Sequence, residues 1–515
     1  MQQYKIEGPD AAGGPERAIP KSGDRSGLVF HIAISKNILY DNMEKEVRKG
    51  NKRFDMTAPA SSIKKHAVDM TEGPIWRLLV MFALPLLLGN LFQQLYNTVD
   101  SIILGNVVGK QALAAVGSTT SLCNTLLNFF NGISIGSGVI ISHYFGSKDD
   151  EGLHIAVETT IMVSLGVGLI VSIAAVPFVP IMLDLVSTPE DVLEPATTYL
   201  RIYFMGVIFL FTYNMGGCIL RAVGDTKRPL LFLIFSSALN ILLDLLFVVV
   251  FRWGIAGAAI ATILSEAISA ALVCMTLMRS QEAYRLTLQD LHINWPVFRR
   301  ILVVGLPVGI QQSLTAFSNA FLQSYINRFD SSSIVAGWST HVKVDQFMLL
   351  PAQSIGQAAT TFVSQNLGAG REDRARKCFW VSLAMGISVL LAICGAIYIS
   401  AEGVASLFNR EPDVVYFGAA FMTMMVPYRF LTAIFQCIAG VLRGEGDSRS
   451  PMFIMLFSFV AVRWVYLLII TQFPHDVYAV AFGYPVGWIA CAVLSCLYYY
   501  YHRRRLNADR PRHEL

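Results

Sequence analysis

From residue 75 onward the chain alternates long apolar runs with short polar links. The apolar runs span 75–104, 112–145, 153–185, 193–222, 229–251 and 254–279. After a polar link come 298–327, 332–366, 375–407, 413–442, 451–473 and 477–501. A helix needs roughly 20 apolar residues to cross a hydrocarbon core about 30 Å thick, so each run predicts one membrane-spanning helix. Several runs are longer than a perpendicular helix requires, which predicts tilt or ends that project past the bilayer. The pattern predicts an all-α polytopic membrane protein with twelve transmembrane helices.

The links carry an orientation. Placing the N-terminus in the cytoplasm assigns nineteen Lys and Arg to the inner links and C-terminal tail, among them Arg228, Arg299, Arg300, Arg376, Arg449 and Arg503. Only Lys110, Arg252, Arg328 and Arg410 fall outside. This bias predicts that both termini face the cytoplasm, in the plasma (inner) membrane of the cell.

A shift of 222 positions lays the second half of the chain on the first. It places Pro85 on Pro307, Asn97 on Asn319, Ser142 on Ser364 and Gly146 on Gly368, and it aligns 220–229 with 442–451. The expected domains are an N-lobe (71–280), an interlobe loop (281–297), a C-lobe (298–501) and a basic tail (502–515). Six helices per lobe is an even number, so both lobes have one membrane orientation. Two such lobes around a central cleft suit alternating access. Residues 1–70 are polar, carry no signal-peptide pattern and are expected to form a disordered cytoplasmic tail or to precede a start at Met70.

Composition agrees with this reading and narrows the chemistry. The 515 residues are 54% hydrophobic and 15% charged, with a mean hydropathy of +0.52. A net charge of +4 gives no nucleic-acid signal. Eight cysteines lie in or beside apolar runs with no C-x-x-C pair, arguing against disulfides or a zinc site. No Walker-type glycine loop occurs, so ATP is not an expected partner. Gly-Ile-Ser-Ile-Gly (132–136) lacks the strand–turn–helix setting of a hydrolase nucleophile, and its glycines predict close helix packing instead.

Ionisable groups inside spans are costly and therefore informative. Asp100 lies late in the first span, in Gln93-Gln94-Leu-Tyr96-Asn97-Thr-Val-Asp100. Asn240 and Asp244, four residues apart, share one face of the fifth span, at depths of about 16 and 22 Å counted from Pro229. Thr262 falls at a comparable level in the sixth. These groups are expected to converge and to take up a proton or a cation such as Na⁺ through carboxylate, amide and hydroxyl oxygens. In the second lobe the same positions hold Leu322, Val462, Tyr466 and Tyr484. That lobe has its own polar set, His341, Lys343, Asp345, Arg429 and Arg463, with Lys343 and Asp345 as a possible cavity pair. Pro85 and Pro307 are expected to kink the first span of each lobe.

Over residues 72–500 the chain resembles the multidrug and toxic compound extrusion (MATE) family, in its bacterial DinF/NorM-like branch. The resemblance rests on Phe-Ala-Leu-Pro85, Leu-Tyr-Asn-Thr-Val-Asp100, Ser142-His-Tyr-Phe-Gly146 and the two Leu-Arg-x-x-Gly-Asp elements. Asn240-x-x-x-Asp244, Gly-Ala-Ala-Ile-Ala-Thr262 and Gln365-Asn-Leu-Gly-Ala-Gly370 complete it. It implies a V-shaped, monomeric, non-enzymatic transporter among membrane lipids that exports small organic, often cationic, compounds in exchange for H⁺ or Na⁺ and needs no cofactor. It further implies cation coupling at Asp100, Asn240, Asp244 and Thr262, which would be metal ligands if Na⁺ is used, with Tyr199 and Asn214 in the surrounding network. The acidic residue that another bacterial pattern places in the seventh span is absent from Pro307-Val-Gly-Ile-Gln-Gln-Ser-Leu314. The alternatives are a lipid-linked precursor flippase of the same fold superfamily, which calls for a basic cavity that the N-lobe, with Arg201 as its evident internal cation, does not offer, and a major-facilitator transporter, whose basic signature the loop after the second span lacks.

Overall fold

A computed structural model describes residues 68–185, 188–287, 292–329, 331–473 and 476–508. The expected tail, except for its last three residues, and the final seven residues lie outside this range. Within it the chain is helical. The first lobe comprises α1 (Ile75–Val107), α2 (Lys110–Ser147), α3 (Asp150–Leu185), α4 (Glu190–Met205 and Val207–Ala222), α5 (Lys227–Asp244, continued by a π-helix, Leu245–Val250) and α6 (Gly254–Met278). The second comprises α7 (Trp295–Ile326), α8 (Ser332–Gly368), α9 (Glu372–Ile399), α10 (Pro412–Met425 and Leu431–Gly444), α11 (Arg449–Leu456, a π-helix Phe457–Val462, and Arg463–Ile470) and α12 (Val477–Ala481 and Gly483–Ala508).

Nine helices among the described residues are long and apolar enough to cross a membrane singly, and α4 and α10 do so as bent pairs. The twelfth, α8, is less apolar because His341, Lys343, Asp345 and a series of Ser and Thr interrupt it. Its 37 residues span about 55 Å at 1.5 Å per residue, ample for a crossing. Lipid-facing side chains such as Ile170, Ile173 and Leu242 are exposed, as a bilayer solvent requires.

Local chemistry sets the helix ends. Asn294 accepts a hydrogen bond from the Val297 backbone N–H at 3.1 Å and caps α7, and Asp476 caps α12 through Ala479 at 2.9 Å. The turns into α5 and α11 match across the repeat. Gly224 and Gly446 take positive φ, 91° and 89°. The following residues, Asp225 and Asp447, accept from the first backbone N–H groups of the next helix.

The two prolines do not break their helices: α1 and α7 run through Pro85 and Pro307. The breaks occur in α4, by 48° beside Gly206, and in α10, by 52° beside Pro427. In repeat register Gly206 matches residue 428, so the bends are a property of the repeat.

The lobes join most extensively along α2 and α7. Gly132 and Gly136 lie against the backbones of Gly309 and Gly305, so the contact has no room for a Cβ. Toward one end, Gly146 of α2 meets the Gln365 carbonyl and Gly368 of α8 meets the His143 carbonyl. Positions 146 and 368, and likewise 143 and 365, are 222 apart, so this contact is its own mirror across the repeat. At mid-depth Gln94 of α1 donates to Gln346 of α8 at 3.2 Å, and Ser313 of α7 donates to the Thr125 carbonyl at 3.2 Å.

Residues 68–74 fasten this closed end. Met70 is fully buried; its N–H donates to Gln365 Oε1 at 3.1 Å, and its carbonyl accepts from Asn366 at 3.1 Å. Arg371 and Arg374 hold the Thr71 and Gly73 carbonyls. Val68 lies directly on Gly224 of the N-lobe.

Candidate functional site

Helices α1 and α5 bring Asp100 and Asp244 together, with Asn240 one turn from Asp244 and Thr262 on the neighbouring α6. Asp100, late in α1, lies beside Asp244, the last residue of the α-helical part of α5, close enough for each charge to reach the other. Asp244 is completely buried and Asn240, one turn below, is nearly so. Among the described residues, neither Asp244 carboxylate oxygen, neither polar atom of the Asn240 amide, nor Oδ1 of Asp100 has a hydrogen-bond partner. Buried polar groups are ordinarily satisfied, and a cluster of five orphaned atoms points to a ligand. The cluster forms no ion pair with Lys or Arg among the described residues. The wider π-helical turn begins at Leu245, immediately after Asp244, a device that concentrates at functional positions.

Thr262 of α6 donates its hydroxyl to the Ala258 carbonyl of its own helix at 3.0 Å. This leaves the oxygen lone pairs free to accept or to ligate. Asp100, Asn240, Asp244 and Thr262 thus offer hard oxygen donors, the set that fits an alkali cation. A proton on one carboxyl would serve the same electrostatic purpose.

Tyr199 is buried, stacks on Tyr203 with ring centroids 6.1 Å apart, and feels the charges of Asp100 and Asp244, which places it beside the cluster. Asn214 does not join by any described bond; its amide donates to the Leu210 carbonyl of its own helix at 2.9 Å.

One acidic residue in this region escaped the sequence reading. Glu266 sits one turn below Thr262 on the same face of α6, with Oε2 buried and without a partner among the described residues. Tyr96 of α1 feels Glu266 as well as Asp100 and Asp244. The three carboxylates therefore form a ladder down the N-lobe, with Tyr96 within reach of every rung. They do not gather as one metal cluster. The available signal was the four-residue spacing from Thr262 to Glu266, the same spacing that marks Asn240 and Asp244.

Two readings of charge change. Arg201 is exposed, so it is not sequestered in the interior of the N-lobe. Lys343 and Asp345, two residues apart, project about 160° from each other around α8. Lys343 is exposed, whereas Asp345 pairs with the buried Arg429 of α10 at 3.1 Å.

The remaining members of the predicted C-lobe set are Arg463 and His341. Arg463 of α11 is 1% exposed. Its Nη1 donates to Asn319 Oδ1 at 2.8 Å and to Ser318 Oγ at 3.5 Å, and its guanidinium carbon lies 4.6 Å from the Tyr484 ring centre. His341 is buried beside Trp338, with ring centroids 5.3 Å apart.

Comparison with known proteins agrees with the repeat and the fold. The MatE family model matches twice, over residues 85–246 and 307–468. The chain is 29% identical over 437 residues to the probable multidrug resistance protein YpnP of Bacillus subtilis, covering 85% of this chain and 97% of that protein. It is 20% identical to the multidrug export protein MepA of Staphylococcus haemolyticus, over 85% and 96% of the two chains. A solved structure of an outward-facing multidrug resistance MATE family transporter superposes with a TM-score of 0.80 at 22% identity, over 86% of this chain and 99% of that one.

Proposed function

The chain belongs to the MatE family, a family of multi-pass membrane transporters, and on that premise we propose that it is a secondary active exporter. It exchanges small organic, often cationic, compounds for H⁺ or Na⁺ by alternating access. The observation that carries this reading is the pair Asp100 and Asp244 with Asn240 between α1 and α5, Asp244 and Asn240 buried and all three short of partners. A proton or Na⁺ arriving from outside neutralises the pair and removes the cost of two facing carboxylates. The packing of α1 against α5 then changes, and the change favours outward release of substrate.

If Na⁺ is the ion, Asp100, Asn240, Asp244 and Thr262 hold it, and the cation supplies positive charge only. Tyr199 and Glu266 border the site. Lobe contacts at residues 143–147 and 364–368, where α2 and α8 end, add to the seam along α2 and α7. The names carried by the relatives, multidrug resistance and multidrug export, support the substrate class and a bacterial inner-membrane setting.

The test is substrate efflux in proteoliposomes with pH and Na⁺ gradients imposed separately. Uphill export driven by one gradient and abolished in both Asp100→Asn and Asp244→Asn is the expected result. Wild-type export by both variants would overturn the proposal.

A further inference from the structure

The repeat places Arg463 in the C-lobe where the cation-seeking cluster lies in the N-lobe. In register, Ser318 and Asn319 match Tyr96 and Asn97, Leu322 matches Asp100, Tyr466 matches Asp244, and Tyr484 and Trp488 match Thr262 and Glu266. Arg463 itself matches Ile241, the residue after Asn240. Every acidic position of the N-lobe ladder is therefore uncharged in the C-lobe, and a guanidinium has entered from the neighbouring position of α11.

The surroundings of that guanidinium are those of a bound cation. Asn319 and Ser318 supply neutral oxygens. The Tyr484 and Phe459 rings lie 4.6 and 5.2 Å from its central carbon, close enough for cation–π attraction. Ser318 is turned toward it while donating to the Phe459 carbonyl. Gly487 of α12 leaves the space the group fills: a Cβ there would lie 3.2 Å from Nη2 and 3.3 Å from Nε. Asp345, the acidic group whose charge reaches it, is already paired with Arg429. Among the described residues no carboxylate pairs with Arg463, and a buried charge without such a partner needs another reason to be there.

We propose that Arg463 is a built-in cation: its guanidinium permanently occupies the C-lobe position that a coupling ion takes transiently in the N-lobe. The inference rests on the N-lobe reading given above. Two related lobes begin with two equivalent positions; one exchanges its cation with solvent, and the other carries it on the chain. The C-lobe is then fixed in its cation-loaded packing throughout the cycle, and only the N-lobe responds to the gradient. Arg463 is a positioning residue, since it touches neither substrate nor ion.

Chemical rescue of the full-length protein tests this. Arg463→Ala leaves a guanidinium-sized space beside Asn319 and Tyr484. Its Tm in detergent should rise with methylguanidinium concentration, as a ligand of the native state requires, and wild type should show no such rise. In proteoliposomes the variant should lose about tenfold in turnover with KM unchanged. Methylguanidinium should restore the turnover, and neutral N-methylurea, of the same planar shape without the charge, should not. If Arg463→Ala does not fold, Arg463→Lys and Arg463→Met separate charge from bulk: Lys should retain export and Met should lose it. A variant Tm indifferent to methylguanidinium, or equal export by Lys and Met variants, overturns the proposal. Asp244→Asn with Arg463 intact examines the N-lobe reading alone. Wild-type export there would remove that reading even where methylguanidinium still binds the alanine variant.

Discussion

Arg429 reaches Asp345 twice with one nitrogen: its Nη2 lies 3.1 Å from the carboxylate Oδ2 and 3.0 Å from the main-chain carbonyl of the same residue. The guanidinium also lies over Trp488, 4.7 Å from the ring centre. α8, α10 and α12 are thereby tied at one point inside the C-lobe. Asp345→Asn leaves a buried guanidinium without its counter-ion and should cost about 3–5 kcal/mol. Thermal unfolding in detergent measures it. Lys343→Ala, two residues away and exposed, should leave the Tm within the scatter of wild type.

At the lobe seam, Gly132→Ala forces a Cβ onto the Gly309 backbone. Overpacking of this kind typically costs about 1–3 kcal/mol, so both Tm and export should fall. Gly166→Ala in α3 meets nothing within 4 Å. It should leave Tm equal or raised, because alanine suits a helix interior better than glycine by about 0.5–1 kcal/mol. Parallel thermal melts decide whether the seam or merely the loss of glycine matters.

The matched turns should respond unequally. Gly224 and Gly446 share the same positive φ, so alanine strains both by about 1–2 kcal/mol. At Gly224 the Cβ also strikes Val68, whereas at Gly446 it meets nothing within 4 Å. Gly224→Ala should therefore be the more destabilising change, and proteolysis near residue 68 should accelerate in that variant alone.

Glu266→Gln removes the lowest carboxylate of the N-lobe ladder while keeping its shape. Export should slow without a fall in Tm, since the charged form has no partner among the described residues to lose. A rate equal to wild type across the full range of imposed gradients would take Glu266 out of the transport path.

The twelve spans were legible because bilayer thickness imposes a length on apolar runs and leaves little freedom in where they end. The two lobes were legible because the 222-residue offset survives in Pro85, Asn97, Ser142 and Gly146. The convergence of Asp100, Asn240 and Asp244 was readable from helical spacing and depth. What could not be read was rotation about the helix axes. The partner of Asp345 is Arg429, 84 residues away, not the nearby Lys343, and no local pattern encodes which side of α8 turns inward. The two breaks fall at positions not singled out in the sequence, beside Gly206 in α4 and beside Pro427 in α10, while α1 and α7 run on through Pro85 and Pro307.

Where α2 crosses α7, Gly132, Gly136 and Gly305 lie backbone against backbone, with the Phe129 ring beside Gly309. Most packed helices must lift knobs out of holes, and reset rotamers, before one can move along the other. A backbone-on-backbone crossing has neither obstacle. Sliding of the lobes would meet few interlocking side chains there, whereas at the rim Met70 is stitched to Gln365 and Asn366 by hydrogen bonds that would have to break. The seam is a bearing, and the speed of the cycle is set by what fastens its rim.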